Sequence, residues 1–142
     1  MFALTPQVVQ VSNTVVIGTL LVGDIRARIL FDSGATYSFA SSYFISHLRR
    51  DIEFLEAPII VFTQVENPIE VLRVLSMCPM MIDGYRYDTD LIVLEILGFD
   101  VILGMDWLSA YQATLNYREK TITLKLSGDT DKVFQGNRSE EG

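Results

Sequence analysis

The part of this chain best suited to chemistry is Ala27-Arg-Ile-Leu-Phe-Asp-Ser-Gly-Ala35, where an apolar, strand-like run ends in an aspartate followed at once by serine and glycine. A carboxylate placed there sits on a tight turn at a strand end. Ser33 can hydrogen-bond beside it, and Gly34 lets backbone N–H groups come close. Two carboxylates held a few ångströms apart resist double ionisation, so they share one proton over a wide pH range. The ionised member can activate a water while the protonated member polarises a carbonyl, the two tasks that amide hydrolysis requires. The apparent pKa values of such a site belong to the pair. The motif occurs once in the chain, so a second carboxylate has to come from elsewhere.

Two other readings compete. A strand-terminal aspartate can be the nucleophile of phosphate-transferring enzymes, but those motifs place a second Asp or a Lys-Thr pair where this chain has Ser33 and Gly34. Asp-Ser-Gly is also plain turn chemistry. The strand in front of it argues for more than a turn, and so does a second motif, Asp100-Val-Ile-Leu-Gly104-Met-Asp-Trp-Leu108. Asp100 and Asp106 both lack a following Ser/Thr-Gly, so neither supplies the missing carboxylate.

The elements that must position Asp32 read as many short strands with little helix. Thr14 to Val22 is rich in Val, Ile, Leu and Thr, and Gly23-Asp24 is a hairpin turn. Ile25, Ala27, Ile29 and Phe31 then alternate with Arg26, Arg28 and Leu30, the period of a half-buried strand that delivers Asp32. Ser41 to Arg49 reads as a short helix capped by Ser41 or Ser42. Pro58–Thr63 and Ile69–Leu75 predict a projecting hairpin across Gln64-Val65-Glu66-Asn67-Pro68. Cys78 to Ile82 and Tyr85 to Leu94 form another hairpin around Asp83-Gly84. Asp100 to Leu103 is a buried strand closed by Gly104, and Asp106 caps a short helix through Tyr111. Ala113–Tyr117 and Thr121–Leu126 make a last hairpin. Residues 13–126 read as one domain, residues 1–12 as an N-terminal linker, and residues 127–142, dominated by Ser, Gly, Asp, Asn and Glu, as a disordered C-terminal linker.

Composition narrows the function. A chain of 142 residues makes one domain with a modest core. A net charge of −7 argues against nucleic-acid binding, and the basic pair Arg49-Arg50 is followed by Asp51. No apolar run is long enough for a membrane span, and Met1 to Pro6 lacks the pattern of a signal peptide. Cys78 is the single cysteine and His47 the single histidine, which sets aside a disulfide and a zinc site and points to a reducing compartment. His47 reads as a solvated surface side chain.

Phe31-Asp-Ser-Gly-Ala-Thr36, with Val101-Ile-Leu-Gly-Met-Asp-Trp-Leu108 near the end of the domain, resembles the retropepsin-type aspartic protease of gypsy-type, particularly plant, retrotransposon Gag-Pol polyproteins. The likeness runs from about Phe2 to Leu126. It implies an all-β acid-protease fold, a closed β-barrel with one short C-terminal helix, active as a C2 homodimer. Asp32 then resembles the catalytic aspartate, Ser33 the residue that hydrogen-bonds across the dimer axis, and Gly34 the residue whose backbone approaches substrate. Substrate contacts are expected from Ala35 and Thr36, from Gln64, Val65 and Glu66 in the flap, and from Ile102 in the strand beneath the loop. Asp106 and Trp107 read as structural, one a helix cap and the other core or interface.

Pepsin-like enzymes carry two motif copies in one chain of more than twice this length. A single copy must meet its mate across a twofold axis, each loop touching its own counterpart. The resemblance implies a polypeptide substrate, the protease's own polyprotein, bound extended like an added strand. It implies no metal or organic cofactor and a cytoplasmic setting, including virus-like particles. The sequence departs from the family pattern in places. No glycine occurs between Gly34 and Gly84, so the flap lacks the usual glycine hinge and carries Asn67-Pro68 instead. Thr36 and Tyr37 stand where many retroviral enzymes have acidic residues. These departures keep open a second reading, a dimerisation or peptide-binding module of the same fold with weak or no catalysis.

Overall fold

The computed structural model describes residues 15–61, 68–125 and 131–137. β1 (Val15–Val22) and β2 (Ile25–Asp32) form a hairpin whose register runs from Val22 opposite Ile25 to Val15 opposite Asp32. Both turn residues, Gly23 (φ +56°) and Asp24 (φ +71°), are left-handed, as a two-residue hairpin turn with the twist of its strands requires. β3 (Phe39–Ser41) leads into a one-turn helix, Ser42–Ile45, capped by the Ser41 hydroxyl, which accepts from Phe44 N at 2.9 Å. This helix is shorter than the expected Ser41–Arg49.

β4 (Glu53–Val61) and β5 (Ile69–Cys78) are the two arms of the projecting hairpin. Its tip, including Gln64, Val65 and Glu66, lies outside the described residues. β6 (Met80–Ile82), β7 (Tyr85–Arg86), β8 (Thr89–Leu94) and β9 (Val101–Leu103) follow, then a helix, Met105–Ala110. Among the described residues, no helix is long and apolar enough to cross a membrane.

Nine strands join in the order β4-β5-β8-β3-β9-β2-β1-β6-β7. β2–β9 and β3–β8 pair in parallel, while β9 is antiparallel to β3. β9 is therefore threaded between the strand that enters the Asp32 turn and the strand that leaves it. The expected closed barrel is not formed by the described residues: the sheet is open, with β4 and β7 at its ends. β4 carries Pro58, which has no N–H to donate, and its pairing with β5 shifts register between Phe54 and Ile59. β7 is only two residues long and exposed, too short to close a ring.

β2 is more buried than its alternation suggests, because from Ile29 to Asp32 every residue is inside. Successive side chains point to opposite faces. Ile29 and Phe31 enter one core with Trp107, Val16 and Leu103, whereas Leu30 enters a second with Phe39, Val71, Ile92 and Ile102. A strand covered on both faces is a rigid mount for the residue at its end.

The expected disordered linker over residues 127–142 does not hold for its described part, residues 131–137. β10 (Thr114–Asn116), β11 (Thr121–Lys125) and β12 (Asp131–Gln135) form a three-stranded antiparallel sheet, with Ile122 opposite Phe134. The segment looks polar because most of its side chains face water. A strand needs only its backbone ladder and, here, one aromatic anchor: Phe134 packs 6.3 Å from Phe31. Gly136 N then donates to Lys120 O and Asn137 N to Ile17 O, both at 2.7 Å.

Candidate active site

Asp32 closes β2 and is 1% exposed, on a turn folded back on itself. Gly34 N donates to its Oδ1 at 2.8 Å and Ala35 N to its carbonyl at 3.2 Å. The Gly34 N–H thus fixes the orientation of the Asp32 carboxyl group on the turn. Ser33 Oγ lies 3.1 Å from the Tyr117 hydroxyl, 84 positions away at the end of β10.

The second motif supports this turn from below. Gly104 follows β9 and is wedged against the turn backbone: a Cβ there would overlap the Tyr37 carbonyl oxygen and lie 2.7 Å from that of Ala35. Met105 N donates to Ala35 O at 2.8 Å and Asp106 N to Thr36 O at 3.1 Å. The first amides of the helix are thus satisfied by the turn's carbonyls instead of by a cap. Asp106 is not the N-cap, as the sequence suggested. Gly104 holds that position with no side-chain cap bond. The Asp106 carboxylate reaches back instead, accepting from Ser38 Oγ (2.6 Å), Ser38 N (3.2 Å) and Trp107 N (2.6 Å). Ser38 Oγ in turn accepts from Gly104 N at 3.0 Å. Ser38, buried and unremarkable in sequence, is the joint of this clasp.

Trp107 is wholly core. Its ring packs against Phe31 (5.8 Å), Tyr87 (6.2 Å) and Tyr111 (5.4 Å), and Nε1 donates to Tyr87 O at 3.0 Å. Phe31, next to Asp32, is therefore flanked by Trp107 on one side and Phe134 on another. Burial pushes the hydroxyl pKa values of Tyr87 and Tyr111 up, so both stay neutral, and the Tyr111 hydroxyl donates to Asp88 O at 2.6 Å. The Cys78 thiol is likewise pushed up to about 11 by burial, which leaves it inert.

Of the expected substrate contacts, Thr36 is exposed beside exposed Gly34. Ala35 and Ile102 are instead packed in the second core, 2% and 1% exposed, so in the single chain their side chains hold the loop and face no open surface. Sequence reasoning missed Ser38 and Tyr117. Their partners lie 68 and 84 positions away, and no local pattern announces such contacts. Among the described residues, no group of His, Cys, Asp or Glu side chains could hold a metal ion.

A buried strand-terminal Asp-Ser-Gly turn rests on an Ile-Leu-Gly strand and a following helix in a retropepsin-like fold. The chain belongs to the retroviral aspartyl protease family, whose sequence profile matches residues 1–130. The fold is retropepsin-like and mostly β. It is similar to the retroviral protease-like domain of Ddi1 from Leishmania major, with 18% identity and a TM-score of 0.62 over 88% of this chain and 98% of that one. It is also similar to the EIAV protease complexed with the inhibitor HBY-793, with 20% identity and a TM-score of 0.56 over 70% of this chain and 90% of that one. Among curated proteins there is no significant match.

Proposed function

We propose that the chain is an aspartic endopeptidase that works as a symmetric homodimer, with one Asp32 from each copy forming the catalytic pair. The observation that carries this reading is the single buried Asp32, held by the Gly34 N–H at a strand end, in a member of the retroviral aspartyl protease family. One such turn is half a site, and a twofold axis supplies the other half.

In the pair, one carboxylate is ionised and takes a proton from a water between them. The other, protonated, donates a hydrogen bond to the scissile carbonyl. The water oxygen adds to the carbonyl carbon, and the tetrahedral intermediate collapses as the C–N bond breaks and the carboxyl that took the water's proton passes it to the leaving nitrogen. Substrate lies extended between the catalytic turns and the β4–β5 hairpins, bound as an added strand. The polyprotein that carries the protease, of gypsy-type retrotransposon origin, is the substrate we assign, processed inside the cell.

The test is cleavage of a junction-containing peptide at pH 4 to 7 by the wild type and by Asp32→Asn, repeated across a dilution series. Cleavage by the wild type alone, with activity per chain falling as the dimer dissociates, is the expected result. Equal cleavage by both proteins, or constant activity from a demonstrated monomer, would sink it. Peptide binding without cleavage at high concentration would favour the non-catalytic module of the same fold.

A further inference from the structure

We propose that Tyr117 is a positioning residue for the catalytic carboxylate, acting through Ser33 and anchored by the three-stranded C-terminal sheet. This rests on the protease reading above. The two hydroxyls lie 3.1 Å apart, and either can donate to the other. Ser33 separates Asp32 from Gly34, the residue whose N–H holds Asp32 Oδ1 at 2.8 Å. The Ser33–Gly34 peptide plane carries that N–H. A rotation of Ser33 swings it away from the carboxylate, so a bond that fixes the Ser33 side chain restrains the plane as well.

A tether is useful only if its far end is fixed, and Tyr117 is fixed at three places. It directly follows β10, which pairs with β11 from Thr114–Thr123 to Asn116–Thr121. Its ring packs on the main core. The sheet is then locked to the β1–β2 hairpin through β12. The Phe134 ring meets the Phe31 ring at Gly18, where a Cβ would crowd both at 3.2 Å. Asn137 N donates to Ile17 O (2.7 Å) and its side-chain amide to Thr19 Oγ1 (3.0 Å). Residues Asp131 to Asn137 lie past the end of the family match at residue 130. The sheet therefore grips the catalytic hairpin twice, at β1 through Asn137 and at the turn through Tyr117.

Tyr117→Phe removes the hydroxyl and keeps the ring. The expected result is a fall in kcat of about tenfold with KM within twofold, at a thermal midpoint lowered by no more than about 5 °C. The Gly34 amide should exchange with solvent measurably faster, with the other β2 amides unaltered. Exchange is read by NMR without any substrate, so it tests the tether even if the wild type cleaves nothing, an outcome that would fault the protease reading instead. An unchanged Gly34 exchange rate, or an unchanged kcat in an active enzyme, would overturn the proposal.

Discussion

Gly104 touches the carbonyl of Ala35 so closely that a Cβ at position 104 would stand 2.7 Å from that oxygen. The contact joins the two motifs that sequence reading found separately, and it makes the glycine a requirement of shape. Gly104→Ala must push the Asp32 turn away from β9. We expect a loss of about 3 kcal/mol in urea denaturation together with loss of cleavage. A variant of wild-type stability would show that the turn can give way.

Asp106 ties the turn to the helix through three accepted hydrogen bonds, two of them from Ser38. Asp106→Ala leaves the Ser38 donors unpaired and should cost about 1–2 kcal/mol, measured as a shift in denaturation midpoint. Asp106→Asn keeps one acceptor but presents an amide to Ser38 N–H, so its cost should fall between alanine and wild type. Activity should decline in the same order.

Phe134 and Gly136 test whether the C-terminal sheet is part of the domain. Phe134→Ala uncovers Phe31 and should destabilise by about 1–3 kcal/mol, less than a fully buried phenylalanine because the ring is half-buried. Gly136→Ala drives a Cβ to 2.7 Å from Ile17 O and 2.8 Å from Lys120 O, and should be at least as damaging. Differential scanning calorimetry on both variants checks this. Two midpoints equal to wild type would mean that β12 adds nothing.

Cys78 predicts a pH dependence. Its thiol pKa is raised by burial from 9.0 to about 11, so the folded state holds this proton more tightly than the unfolded one. The stabilisation is complete below pH 9 and is lost as pH rises from about 9 to 11. Cys78→Ala should flatten that part of the stability curve, as followed by denaturant midpoints across the range. Native Cys78 should also resist alkylation at neutral pH and react promptly on unfolding.

The β1–β2 hairpin, the Asp32 turn and the strand before Gly104 were legible because each is written in adjacent residues: a Gly-Asp turn, an alternating run, a glycine after an apolar triplet. The helix cap was misread for a physical reason. Asp106 has the right chemistry for a cap, but Gly104 must occupy that place to clear the carbonyls of Tyr37 and Ala35, which frees the aspartate to reach Ser38. β12 was hidden because its pairing with β11 uses backbone groups that every residue has, and a single phenylalanine marks its inward face. The insertion of β9 between β2 and β3 is a long-range parallel pairing, set by the burial of both faces of β2.

The clasp between Asn137 and Thr19 spans 118 positions of sequence. A ribosome adding about 5–20 residues each second exposes Asp32 on the order of ten seconds before it makes Asn137. Until then the Asp32 turn has its parallel neighbour β9 and the Trp107 ring but not the Asn137 bond that ties the C-terminal sheet to β1. The last support of the Asp32 turn is therefore also the last part of the described fold to be synthesised.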